Sequence, residues 1–191
     1  MLKFWYSPGA CSLAPHILLY EIGEPFEAIE TPVSSGAHLT SEFTRLNPKN
    51  RVPVLATEGH VITELPAISA AIALRAPDLG LMGGSPMENV RVLEWLNWLS
   101  GTVRGQGFGC LWRPECFATA ESAFESVKGQ GQATIVESYQ AIEQRIGDAH
   151  ASGTSFTVVG CLPPRVLPLP SVRCARSGFG RTTLRPIRPA S

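Results

Sequence analysis

Apolar positions follow one rhythm in the first third of the chain and another after it. Leu2 to Tyr6 (LKFWY) is a short aromatic-rich run of the kind a buried strand shows. From about Ser12 to Glu21 the spacing predicts a helix, with Pro15 tolerated in its first turn and Gly23 placed to end it. Phe26 to Thr31 (FEAIET) alternates as a second strand does. A polar loop then leads to a short helix around Ser41 to Leu46, and Asn47-Pro48-Lys49-Asn50 is a turn. Val54 to Thr57 and Val61 to Thr63 read as brief strands of a hairpin turning at Glu58-Gly59-His60. Glu64 and Pro66 open a further helix to about Arg75, the acid in its first turn and the proline where no N–H is needed. Strand, helix, strand, helix, hairpin, helix is a complete small α/β unit.

Ala76 to Gly84 (APDLGLMGG) has the Pro and Gly content of a linker, and Ser85-Pro86-Met87-Glu88 is a capping box that starts a new helix. Val90, Leu93, Trp95, Leu96 and Leu99 supply that helix with an apolar face, and Gly101 to Gly109 reads as a glycine-rich break. A longer helix is predicted from about Thr119 to His150, with Val127, Ile135, Tyr139, Ile142 and Ile146 at helical spacing. No strand is predicted between Met87 and His150, so the second part is all-α. The boundaries that follow are an α/β domain over 1–76, a linker over 77–84, a helical domain over 85–160 and an irregular tail over 161–191.

The chain has 191 residues, 44% of them hydrophobic, which is ordinary for a globular protein with a real core. With no window of membrane-span length and no secretory leader pattern, it reads as soluble and cytoplasmic. Five cysteines, Cys11, Cys110, Cys116, Cys161 and Cys174, are irregularly spaced with no zinc-site grouping, so reduced thiols and no metal are expected. The zero net charge hides an asymmetry. Residues 1–160 hold all 16 acidic residues and ten basic ones, giving −6, while six arginines from Arg165 onward give +6. Such a tail can bind nucleic acid or membrane, but this one lacks lysine, aromatic interleaving and helical amphipathicity.

Chemistry concentrates at Ser7 to His16, SPGACSLAPH. The order strand, Pro-Gly turn, cysteine, helix places Cys11 where unpaired backbone N–H groups and the positive end of the macrodipole favour a thiolate and invite an anionic ligand.

Five stretches in order, SPGACSLAPH (7–16), LNPKNRVPVL (46–55), ITELPAI (62–68), the linker with SPMENVRVLEWLNWLSG, and SYQAIEQRIGD, resemble the glutathione S-transferases, closest to their bacterial, beta-like class. The resemblance covers residues 1 to about 159. It implies a thioredoxin-like N-terminal domain, an all-α C-terminal domain and a homodimer. It also implies conjugation of glutathione to a small hydrophobic electrophile, or thiol exchange with glutathione mixed disulfides, as a detoxifying activity with glutathione as co-substrate and no other cofactor. In that fold Val52-Pro53 is a cis peptide whose Val52 backbone pairs with the cysteinyl part of glutathione. The γ-glutamyl carboxylate meets the helix start at Glu64 and Leu65, with Glu64 taking the amine. Cys11 holds the glutathione sulfur, Ser12 is a second possible donor, and Arg51 stands in for a glycyl-carboxylate lysine. His16 is the one histidine near this chemistry. The acceptor pocket draws on Trp95, Trp98, Phe108 and Trp112, any of which could equally be core.

Three departures matter. Leu65 stands where relatives have a serine that caps the glutathione carboxylate. Arg104 stands where beta-like members place a histidine near the sulfur; it could favour the thiolate electrostatically but not act as a base, or be a solvated arginine in a glycine-rich turn. Gly160 replaces an aspartate that caps the buried helix of the second domain, and the six prolines and six arginines that follow it cannot form that helix. Synonymous codons for 160–169 exist in which loss of one G restores Asp-Ala-Tyr-Leu-Leu-Val-Phe-Tyr-Arg, so 161–191 reads as out-of-frame peptide and the second domain as incomplete. Losing that helix would strip apolar partners from the long helix around Tyr139 and Ile142. The competing function is a catalytically silent binding or dimerisation module, or a non-functional frameshifted product.

Overall fold

The computed structural model of the protein describes residues 1–146 and 156–161. The expectations for 147–155, and for the out-of-frame tail beyond Cys161, lie outside these residues. The N-terminal part alternates strand β1 (Leu2–Tyr6), helix α1 (Leu13–Glu21), β2 (Phe26–Glu30), α2 (Ser41–Leu46), β3 (Val54–Thr57), β4 (His60–Thr63) and α3 (Leu65–Ala73). The four strands lie in the order β2-β1-β3-β4. β1 and β2 are parallel, with Leu2 opposite Phe26, and β3 runs antiparallel to both β1 and β4. This is the thioredoxin-like mixed sheet that the resemblance implies. Leu2, Phe4 and Leu55 on one face of the sheet, and Val54 on the other, are buried. All but Val54 share one core with Leu18 and Leu19 of α1 and Ile68 and Ile72 of α3.

Leu81 of the predicted linker is itself buried in that core. Helix α4 (Pro86–Asn97) begins with the expected cap, Ser85 Oγ accepting from the Glu88 N–H at 3.2 Å. The reciprocal bond goes one residue further back, from the Gly84 N–H to Glu88 Oε2 at 2.7 Å.

After α4 the expected glycine break is absent. Trp98–Phe108 continues as a π-helix and runs on into α5 (Gly109–Trp112). Gly107 in this stretch and Gly131 opposite it serve close packing. A Cβ on Gly107 would lie 2.7 Å from Ile135, and one on Gly131 would lie 2.6 Å from the Gly107 carbonyl oxygen. The two backbones therefore touch, and α6 (Phe124–Ile146) lies directly on the π-helical stretch. Residues Glu121–Ala123, predicted as part of the long helix, form a 3₁₀ turn before it. Ile142 remains buried in the main core together with Val158, Val159 and Cys161 of a closing 3₁₀ turn (Val158–Cys161). The expected stripping of partners from Ile142 is therefore not seen among the described residues. No described helix is long and apolar enough to cross a membrane.

Candidate functional site

Two backbone devices converge on one sulfur. The first is the turn between β1 and α1, where Ser12 is buried to 1% exposure. Its hydroxyl donates to the Ser7 carbonyl at 3.0 Å and accepts from the Ser7 N–H at 3.2 Å. That hydroxyl has one proton, and the turn uses it. Ser12 thus fastens the loop in this structure, its hydroxyl proton engaged by the Ser7 carbonyl. The second device is the Val52–Pro53 peptide, which is cis. Asn47 places it: its buried amide donates to the Arg51 carbonyl at 2.7 Å and accepts from the Lys49 N–H at 3.2 Å. The Asn-Pro-Lys-Asn signal marks a turn but not this fastening role, which the sequence reading missed.

Between them, the Cys11 thiol faces the Val52 carbonyl at 4.0 Å. The predicted thiolate is not what this setting favours. α1 starts at Leu13, two residues past the sulfur's residue, and the N–H groups of Leu13 and His16 are taken by the carbonyls of Ala10 and Ser12. Burial is the largest influence on the thiol and pushes its pKa above the ordinary value. Arg104 and a backbone N–H oppose it, Glu64 adds to it, and Arg51 opposes it more weakly. At neutral pH Cys11 is therefore a protonated thiol.

Glu64 was expected inside the first turn of α3; instead it is the residue before that helix, with φ of 71°. A side chain rarely occupies this backbone region, and one held there outside glycine marks a conformation imposed by its surroundings. Lys49 donates to the Glu64 carboxylate and to Thr63 Oγ1, the latter at 2.7 Å. Lys49 is a second site neighbour the sequence did not single out. Leu65 gives the site only backbone, since its side chain is 9% exposed and belongs to the main core. Arg51 is exposed at the rim.

Arg104 reaches this region from the π-helical stretch. It is no solvated turn residue: its guanidinium lies 5.0 Å over the ring of Trp112, and Phe108 stacks on that indole at 5.0 Å. Trp95 and Trp98 group elsewhere, 5.2 Å apart, with Arg145 over Trp98 at 5.4 Å. They border a cavity of about 300 Å³ with Glu94, Ala141 and Arg145, which none of the predicted glutathione-site residues lines. The four expected pocket aromatics thus form two pairs, of which only Phe108 and Trp112 adjoin Arg104.

His16 turns away from the sulfur. It sits among Phe4, Tyr6, Tyr20 and Phe26, with ring centroids 4.8 to 5.7 Å away. Its Nε2 is buried without a hydrogen-bond partner, and burial lowers its pKa.

With this geometry in place, comparison with known proteins is informative. Residues 1–73 match the family model for the glutathione S-transferase N-terminal domain. A protein of Escherichia coli O157:H7, glutathione S-transferase GstA, is 31% identical over 163 residues, spanning 82% of this chain and 76% of its own. The chain belongs to the glutathione S-transferase family. Among solved structures, a sphingomonad glutathione S-transferase complexed with glutathione is 30% identical with a TM-score of 0.71, covering 84% of this chain and 78% of that one. The bacterial beta class glutathione S-transferase of Sphingomonas chungbukensis is 29% identical with a TM-score of 0.70 over the same shares, 84% and 78%.

Proposed function

We propose that this glutathione S-transferase family member conjugates the thiolate of glutathione to small hydrophobic electrophiles, or exchanges thiols with glutathione mixed disulfides, as a detoxifying enzyme. One observation carries the reading: the Cys11 thiol faces the backbone of a cis Val52–Pro53 peptide beside the start of α3. The cysteinyl backbone of glutathione pairs with Val52 as an added strand, with Pro53 fixing the edge. Its γ-glutamyl carboxylate meets the first N–H groups of α3 at Leu65, and its amine displaces Lys49 from Glu64. Arg51 takes the glycyl carboxylate. The 1–76 unit is then the glutathione-binding domain, 77–84 a packed connector and 85–160 the domain that supplies the acceptor side.

The protonation of Cys11 decides its part in conjugation. A neutral thiol has a proton to give, so its S–H donates to the glutathione sulfur and steadies the anion as that sulfur ionises, with the Arg104 charge adding to the effect. The glutathione proton passes to solvent, the sulfur's electron pair forms the bond to the electrophilic carbon, and the leaving group departs with the pair of the bond that breaks. Exchange uses the thiolate instead: Cys11 attacks the glutathionyl sulfur of a mixed disulfide, the partner thiol leaves, and a glutathione thiolate resolves the new bond. With burial holding the thiol protonated, exchange gains with rising pH.

A homodimer is supported by exposed apolar side chains, Val61 on β4, Leu74 at the end of α3, Leu79 in the connector, and Met87 and Val90 on α4. A cytoplasmic setting is supported by free thiols at Cys11, Cys110, Cys116 and Cys161. The match to an enzyme over most of the chain supports catalysis over a silent module.

The test is retention on immobilised glutathione together with turnover of an aryl halide. The native chain should bind and turn over, while Cys11→Ala should bind but lose about 100-fold in kcat, as removal of one donor to a reacting anion does. A native chain that neither binds nor turns over ends the proposal.

A further inference from the structure

We propose that Arg104 and Trp112 form a charge-selective acceptor subsite, so that the preferred electrophiles are aromatic rings carrying an anionic group, such as halonitrobenzoates. This rests on the reading of the protein as a glutathione transferase and names the substrate class of its second site.

Three features carry the inference. The Arg104 guanidinium is half-buried, and among the described residues no carboxylate pairs with it and no acceptor takes its side-chain N–H groups. Arg75, by contrast, is matched to Glu24 and Glu58, and Arg91 to Glu94. Second, the cation is held by a ring face, 5.0 Å above Trp112, which orients the planar group while leaving its edge of donors free for the two oxygens of a carboxylate. Third, Trp112 is 45% exposed although Phe108 stacks on it, so part of the indole is in reach of an acceptor ring held by Arg104. Arg104 projects from the π-helical stretch, and its charge is felt at Cys11.

The step is a nucleophilic aromatic substitution. The glutathione thiolate gives its electron pair to the ring carbon bearing the halogen, the ring holds the charge on its nitro group, and the halide leaves with the carbon–halogen pair. The products are the thioether and halide, and the thiol proton passes to solvent. The ring carboxylate takes no part in bonding; it fixes the ring against Arg104 so that the reacting carbon faces the sulfur.

Steady-state kinetics of the full chain with 4-chloro-3-nitrobenzoate and the neutral 4-chloro-3-nitrobenzamide provide the test, since the pair differs chiefly in charge. Arg104→Gln should lower kcat/KM for the benzoate at least about tenfold more than for the benzamide, and Arg104→Lys should restore part of that difference. Equal losses on both substrates would mean that Arg104 serves the sulfur alone, and would overturn the proposal. Calorimetric titration with unreactive 3-nitrobenzoate and 3-nitrobenzamide decides the matter independently of turnover. A preference of the native chain for the anion, lost in Arg104→Gln, supports the subsite even if neither chloro compound reacts, a result that would sink the transferase reading instead. No preference for the anion overturns the subsite even in an active enzyme.

Discussion

The sulfur of Cys11 stands between two walls built in different ways. The wall from the N-terminal unit is made of backbone punctuation: the Ser7–Ser12 fastening, the Asn47 turn, the cis proline and the left-handed Glu64 ahead of α3. The wall from the helical part is made of contact, a π-helical stretch pressed against α6 through Gly107 and Gly131. Punctuated walls are held by local hydrogen bonds and fail one turn at a time. A wall held by contact depends on a few atoms of clearance far along the chain, and one methyl group in the wrong place moves all of it.

The largest expected effect follows from that clearance. Gly131→Val puts a side chain 2.6 Å from the Gly107 carbonyl, a backbone atom that cannot yield, and should cost about 3 kcal/mol in urea unfolding while displacing Arg104. Gly129→Ala, two residues earlier on the same helix with nothing within 4 Å, should instead be neutral or stabilise by up to about 1 kcal/mol. If the two substitutions cost the same, contact is not what holds the second wall.

This contrast also explains what the sequence could and could not reveal. Elements of the first wall announce themselves because their signals are local: α2 and β3 occupy the very residues their turn and alternation patterns predict. In the second wall Gly101 to Gly109 reads as a break, because a glycine that ends a helix and one that admits a neighbouring helix look alike until the neighbour is known. Arg104 was assigned to the sulfur through likeness to relatives, but its ring contact with Trp112 depends on the π-helical path. The charge state of Cys11 is not legible for a related reason: helix polarity can be read from neighbours in sequence, whereas burial comes from chain packed over it later. Lys49 and Asn47 were visible only as turn formers, since their partners Glu64 and the Arg51 carbonyl become neighbours through the fold.

A smaller effect tests the first wall. Leu65→Ser supplies a hydroxyl at the start of α3, where the proposed site holds the glutathione carboxylate, and a hydrogen bond to a charged group is worth about 1.5 to 3 kcal/mol, so glutathione should bind roughly ten- to a hundredfold tighter by calorimetry. The same change empties a core position that is 9% exposed and should cost about 2 kcal/mol of stability. Affinity and stability thus trade against each other at one residue. A gain in both would mean that Leu65 is not packed as described, and a loss in both would place the carboxylate elsewhere.

The smallest effect lies behind the first wall, at His16. Burial lowers its pKa below 6.5, so the unfolded chain takes up a proton before the folded one does. Stability from the neutral imidazole is therefore complete above about pH 6.5 and declines as pH falls through the folded-state value. Glu24, held low first by its hydrogen bond to Arg75, acts in the same sense but only below about pH 4.5. Urea midpoints taken between pH 6.5 and 5 should thus fall for the native chain and stay level for His16→Phe, which keeps an aromatic ring among Phe4, Tyr6, Tyr20 and Phe26. Turnover in His16→Phe should follow its folded fraction alone, because the ring packs among Phe4, Tyr6, Tyr20 and Phe26. A kcat that drops while the midpoint holds would bring His16 back to the chemistry.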